Sequence, residues 1–375
     1  MDINVSTNYL FDLKKTTPID FLKSFPTTRY HGSKRKLVPW YYEHLRGLKF
    51  NTALDVFGGS GIVSYLFKKM GKEVYYNDVL KSNYFIGLAL IENDEIKLTA
   101  MDQKNVLTKR KLKLFEQFVS SNFKDYYYKN IENKWIDMVS NNIHSLNHYT
   151  KDILELKKAM AFYALFQSCL VKRPFNLFHR KNLSLRTKKV ERSFGNKTTW
   201  DTSFSIHFKK FIDEINKFIF SNGKNNKAFN FAINKMPKIK TDLVFIDPPY
   251  LSSTHSETSN YLKSYHFLEG IARYREWEYL LDRSTFNLRF KEDVDNPWIN
   301  KDKIIKELSN LFKKFEHSII VVAYKEPAIP SRIQIVKMLE SVKGKGHVKV
   351  FAKQYNYALC KKNGSHQKEL LFIAE

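Results

Sequence analysis

The stretch TALDVFGGSGIVSYLFKKMGKEVYYND, Thr52 to Asp78, decides the fold. It opens on an apolar run that reads as a strand and passes through Gly58, Gly59 and Gly61. A helical pattern closed by Gly71 follows, and the stretch ends on a second strand, EVYYND. That order is one βαβ unit, set in a β/α pattern that runs from Thr28 to about Asn93. Glycines let a backbone turn sharply and come close to a ligand, and the helix that follows offers unpaired N–H groups at its N-terminus. Ser60 and Ile62 interrupt a G-x-G-x-x-G spacing, and no Lys-Ser/Thr pair follows. Dinucleotide and nucleoside-triphosphate readings are weakened together. Asp78 ends the second strand, about where a nucleoside-binding unit places an acid for ribose hydroxyls. Alone, such an acid also reads as a turn or a cap; beside the glycine loop it points to a ligand with a ribose.

Further strands lie downstream: LVFI (Leu243–Ile246), SIIVVAY (Ser318–Tyr324), HVKVFAKQY (His347–Tyr355) and ELLFIAE (Glu369–Glu375). The last two flank the turn-like KKNGSHQK and form an antiparallel pair. Between about Asp94 and Asn230 the periodicity is helical. The expected fold is therefore α/β, with a mostly parallel sheet ending in an antiparallel hairpin and a mainly helical insertion. The expected boundaries are an extension over 1–26, a first catalytic part over 27–100, the insertion over 101–229 and a second catalytic part over 230–375.

The chain has 375 residues, 43% of them hydrophobic, which is enough for a sizeable core. Its 63 Lys and Arg against 38 Asp and Glu leave a formal charge of +25, which draws polyanions and makes nucleic acid the leading partner class. Cys169 and Cys360 stand far apart without a CxxC, against a disulfide framework or a cysteine-based zinc site and in keeping with a reducing interior. His144 and His148 have the spacing of a metal pair but lack the Glu of HExxH, and no metal is expected. The start of the chain does not read as a signal peptide. Ala159–Val171 is too short for a membrane span and reads as a buried helix.

TDLVFIDPPYLSS, Thr241 to Ser253, carries the chemistry. Ligands of open α/β sheets collect at the carboxyl ends of the strands, where Asp247 follows a buried strand. Pro248 and Pro249 fix the backbone and remove two N–H donors, leaving carbonyl oxygens as acceptors. Asp247 adds another acceptor, and Tyr250 offers a flat ring. An exocyclic amine has two hydrogens to give to such acceptors and an aromatic ring to stack. Asp and Pro are also ordinary turn residues, and it is the glycine loop upstream that turns the reading towards an amino-group methyltransferase.

These residues resemble the Dam-like, D12-class DNA adenine-N6 methyltransferases, in the α-group order of motifs, over most of the chain. RYHGSK (Arg29–Lys34) resembles the first motif, DVFGGSG the S-adenosylmethionine loop, NDVLKSN the ribose-acid segment and DPPY the catalytic motif. SYHFLEGI (Ser264–Ile271), SIIVVAY and KELLFI resemble later ones. The resemblance implies a Rossmann-like S-adenosylmethionine-dependent methyltransferase fold. It puts Tyr30, Lys34, Asp55, Phe57, Gly58, Gly59, Gly61, Asp78 and Asp247 around the cofactor, and Asp247, Pro248, Pro249 and Tyr250 at the reacting amine. Where the family often carries an Asp for the cofactor adenine, this chain has Asn230 and Phe231. The implied partner is double-stranded DNA, with a restriction endonuclease of the same site as companion. The implied enzyme is a cytoplasmic monomer, bacterial or phage-encoded, off the membrane. Cytosine N4 in DNA, guanine N2 in ribosomal RNA and a catalytically inactive DNA-binding protein on the same fold are the alternative readings.

Within the insertion, KRPFNLFHRKNLSLRTKKVER (Lys172–Arg192) concentrates basic residues among Phe175, Phe178 and His179. Basic residues neutralise phosphate while aromatic and polar groups reach bases. Lys172, Arg173, Arg180, Lys181 and Arg186 are the expected DNA contacts, against the plainer alternative of a solvated basic face. Phe267 is a candidate for the base pocket and equally a core residue.

Overall fold

A computed structural model describes residues 18–109, 116–188, 197–251, 260–291, 296–355 and 367–375. Among these residues seven strands form one sheet: β1 (Thr52–Asp55), β2 (Glu73–Asn77), β3 (Lys227–Phe229), β4 (Leu243–Ile246), β5 (Ile319–Glu326), β6 (Val348–Gln354) and β7 (Lys368–Ala374), in the order β3-β2-β1-β4-β5-β7-β6. The first five strands of that order are parallel. β7 enters antiparallel between β5 and β6, pairing Val322 with Phe372 and Val350 with the same residue. The order reverses between β1 and β4, and the crevice at their carboxyl ends is the switch point where open α/β sheets bind ligands.

Strand residues alternate between two apolar layers, as the period of two requires. Ala53, Leu243, Phe245 and Val321 join a core with the helices Val38–Leu45 and Ile62–Lys69 and with the insertion's helices Lys151–Val171 and Phe204–Phe218. Leu54, Val244, Ile246 and Val322 face the helices Lys301–Lys314 and Arg332–Lys343. The insertion thus shares the core of the sheet. It also ends within it, because β3, inside the expected insertion range, adds the outermost parallel strand beside β2. Among the described residues no helix is long and apolar enough to cross a membrane. The Ala159–Val171 segment is buried throughout, as expected. The turn-like residues 361–366, together with Cys360, Lys189 and Arg192, lie outside the described residues.

Candidate active site

The glycine loop is shaped by its own backbone. The N–H of Gly58 donates to Asn77 O at 2.8 Å, drawing the loop towards the end of β2, and that of Gly61 turns back to Gly58 O at 2.8 Å. Gly59 and Gly61 have φ of 49° and 72°, a region other residues rarely enter. Asp78 closes the loop: one carboxylate oxygen accepts the Gly59 N–H and the other the Leu80 N–H, both at 2.9 Å. Burial pushes the Asp78 carboxyl up to about 6 against these hydrogen bonds.

Asp55 ends β1 and is buried. The Ser64 hydroxyl donates to its Oδ2 at 2.7 Å, while Oδ1 is buried with no hydrogen-bond partner among the described residues. Burial pushes this carboxyl up to about 7. A buried orphan acceptor costs on the order of 1–3 kcal/mol, so a ligand that donates a hydrogen there is favoured.

DPPY follows β4. Tyr250 donates to Asp247 Oδ1 at 2.5 Å, and the Lys34 ammonium lies 3.1 Å from the same oxygen. Burial pushes the Asp247 carboxyl up to about 6, Lys34 pulls the other way, and Glu369 adds to the rise. For Lys34 itself, burial favours the neutral amine, but Asp247 and Glu369 together outweigh it and hold the ammonium above its ordinary range.

One cavity of about 270 Å³ joins these parts. Tyr30, Lys34, Asp55, Phe57, Gly58, Gly59, Asp78, Asp247 and Pro249 line it. Gly61 turns the loop from behind, Pro248 is buried, and Tyr250 stands beside the cavity with its ring edge-on to Tyr324. Several wall residues escaped the sequence reading. Trp298 meets Phe57 edge-on at 4.8 Å. Tyr261 stacks with Tyr30 at 5.6 Å between ring centroids, and Tyr265, outside the cavity lining, backs the same ring at 4.8 Å. Glu269 accepts the Lys81 and Ser82 N–H groups at 2.9 Å each and fixes the segment after Asp78. Asn230, one of the two residues near the place where the family often carries an Asp for the cofactor adenine, donates to the carbonyls of Asp78 and Val79 at 2.8 and 3.0 Å. Phe267 is fully buried in the larger core, settling its two readings in favour of the core.

Three of the five expected DNA contacts need correction. Lys172 donates to the carbonyls of Trp200 and Thr202 at 2.6 and 2.5 Å and pairs with Glu132 at 3.0 Å. Arg186 binds both oxygens of Glu132, at 2.8 and 3.1 Å. Arg173 spends its donors on the carbonyls of Leu177, Lys181 and Arg180. All three are buried: Arg173 braces the loop that follows it, while Lys172 and Arg186 are turned inward onto Glu132 and the Trp200 carbonyl instead of meeting a phosphate. Arg180 remains exposed, and Lys181 is half-buried with its ammonium over the Tyr126 ring. Phe178 is buried, whereas Phe175 is exposed at the tip of that loop.

A glycine loop after β1 and an acceptor-rich strand end after β4, meeting in one crevice of this sheet order, make the molecule a Rossmann-like methyltransferase. The model of the D12 class N6 adenine-specific DNA methyltransferases matches residues 30–326, and the chain belongs to that family. Among its relatives, the Type II methyltransferase M2.HphI of Haemophilus parahaemolyticus is 27% identical over 94% of this chain and 98% of its own length. Modification methylase StsI of Streptococcus sanguinis is 26% identical over 91% of this chain and 50% of the relative. Type II methyltransferase M.FokI of Planomicrobium okeanokoites is 25% identical over 84% and 47%.

Proposed function

We propose that the chain methylates the N6 amine of an adenine rotated out of duplex DNA, with S-adenosylmethionine as donor, as the modification half of a restriction-modification system. The observation that carries this is the single cavity lined by both the glycine loop with Asp78 and the acceptor Asp247. The residues fit the donor. Asp78 stands where ribose hydroxyls would be met, the Asp55 orphan oxygen suits a donating amino-acid end, and Phe57 and Tyr30 supply flat walls. When bound, the sulfonium supplies the methyl group.

The chain's own residues do the rest. Rotating a base out costs a few kcal/mol, and stacking on the Tyr250 ring returns about 1–3 kcal/mol. The amine is a weak nucleophile because its lone pair is delocalised into the ring. Acceptance of its two hydrogens by Asp247 and the Pro248 carbonyl favours the pyramidal nitrogen of the transition state, and a fixed approach supplies much of the remaining acceleration. The reading as a modification enzyme is supported by the relatives' names, and an endonuclease acting on the same site is the proposed companion. Nucleoside mass spectrometry after incubation of duplex DNA with labelled cofactor is expected to find the label in N6-methyladenine. Label in N4-methylcytosine would overturn the adenine assignment.

Arg180 and Lys181 are the remaining proposed phosphate contacts in the basic run. The Arg180→Glu/Lys181→Glu double variant is expected to weaken DNA binding and to flatten its dependence on salt, since each neutralised phosphate contributes about −0.9 to the log–log slope. An unchanged slope in a fluorescence-anisotropy titration would remove both residues from the interface.

A further inference from the structure

Three segments distant in sequence meet at the Lys34 ammonium. Its Nζ lies 3.1 Å from Asp247 Oδ1 and 3.2 Å from Glu369 Oε1, and the Lys34, Asp247 and Glu369 side chains are 5%, 19% and 0% exposed. Glu369 stands on β7, in register with Lys325 of β5 and Lys353 of β6. Tyr41, from the helix Val38–Leu45, donates to the same Glu369 oxygen at 2.5 Å. The Tyr250 hydroxyl touches both Lys34 and Asp247. The chemistry proposed above makes no use of Glu369.

A carboxylate this deep in a sheet is costly unless paired, and here one cation serves two acids. With Glu369 removed, the ammonium would have Asp247 alone to satisfy and would be drawn onto the oxygen that the amine needs. With Lys34 removed, two buried acids would face each other. The placement of Lys34 between them therefore governs how Asp247 meets its substrate.

We propose that Glu369 is a positioning residue for methyl transfer: through Lys34 it holds the Asp247 carboxylate in place as acceptor for the adenine amine. This rests on the reading of Asp247 as that acceptor. The amine needs a carboxylate, so activity is present above the Asp247 midpoint and falls as pH drops through about 6. Glu369 pushes that midpoint up and Lys34 pulls it down. Among the described residues, the other titratable or charged groups around the trio are Asp55, Tyr250 and Tyr261 beside Asp247, His31 and Tyr41 on the Lys34 side, Tyr355 after β6, and Lys325 and Lys353 flanking Glu369.

The test follows Asp247 directly in the full-length protein without cofactor or DNA, by infrared difference titration against Asp247→Asn. Glu369→Gln is expected to move the midpoint down by about one unit and Lys34→Gln to move it up by about one unit, as unit charges several ångströms apart in a protein interior require. Glu369→Asp should stay near the wild type. If Glu369→Gln does not fold, the Lys34→Gln/Glu369→Gln double variant removes one charge of each sign, and its midpoint should return towards the wild-type value. The acid limb of the single-turnover methylation rate at saturating cofactor should move in parallel. Midpoints that do not separate, or a double variant as displaced as Lys34→Gln alone, would overturn the proposal. A wild-type protein that methylates no adenine would instead sink the functional reading, while the titration still decides the role of Glu369.

Discussion

Asp247→Ala is expected to lose at least about 10²–10³-fold in the single-turnover rate of methyl transfer, the scale on which one preorganised transition-state contact acts, while DNA affinity stays within a few-fold. The loss is large because the acceptor acts where charge develops. As the nitrogen attacks, its hydrogens become more acidic, and a carboxylate in a partly water-excluded crevice meets them more strongly than solvent could. The fold is expected to survive. Lys34 keeps Glu369 at 3.2 Å, so the substitution leaves no buried cation unpaired, and breaking a buried pair is costly mainly when it strands its partner. Base extrusion, read from 2-aminopurine fluorescence at the target position, should persist, because stacking uses the face of the Tyr250 ring, and the Tyr250 hydroxyl keeps Lys34 as a partner when its bond to Asp247 is lost. A variant that turns over within a few-fold of wild type would remove Asp247 from the chemistry.

The sequence reading reached the site through residues whose meaning is local. LVFI before DPPY coincides with β4, and Gly71 marks the end of the helix Ile62–Lys69, turning at φ 73° just beyond its C-cap residue Met70. A proline pair, a glycine loop and an acid at a strand end each impose their geometry within a few residues. What stayed hidden depends on contacts between distant segments. β3 is three residues long with an exposed Lys227, and only its pairing with β2 makes it a strand. Nothing near Lys172 and Arg186 announces that Glu132, far upstream, will turn both inward. A run of like charges therefore looks the same whether it faces water or carbonyls. Trp298 and Tyr261 line the cavity from segments that follow β4 at a distance in sequence, so only the fold brings them to it. Glu369 reads locally as a charged residue at the start of an apolar strand, and its place behind Lys34 exists only once β7 lies beside β5.

Gly58 shows the same dependence on distant packing and gives the second large effect. Its backbone conformation is not the obstacle to a side chain; the Tyr76 ring is. A Cβ added at position 58 would lie 2.0 Å from Tyr76 Cε2, and one added at Gly87 would lie 2.4 Å from Cδ1 on the other edge of the ring. Two glycines thus clasp one fully buried ring, whose hydroxyl shares its one hydrogen between the carbonyls of Gly59 and Asn83, 2.9 and 3.0 Å away. The ring has nowhere to retreat, so Gly58→Ala must displace the loop towards the cavity. The expected cost is about 1–3 kcal/mol of stability, typical of overpacking. Because displacement falls on the surface that holds the donor, affinity for S-adenosylmethionine is expected to drop by about 10- to 100-fold, or about 1.4–2.8 kcal/mol. Isothermal titration calorimetry and thermal unfolding would read the two effects separately. Gly47→Ala, where an added Cβ meets nothing within 4 Å, is the neutral control. In a Tyr76→Leu background the space opens, and adding Gly58→Ala should then cost little further affinity. If the single Gly58→Ala variant binds the donor as wild type does, the ring does not set the loop; if the Tyr76→Leu background gives no relief, the damage lies in the backbone and not in the clasp.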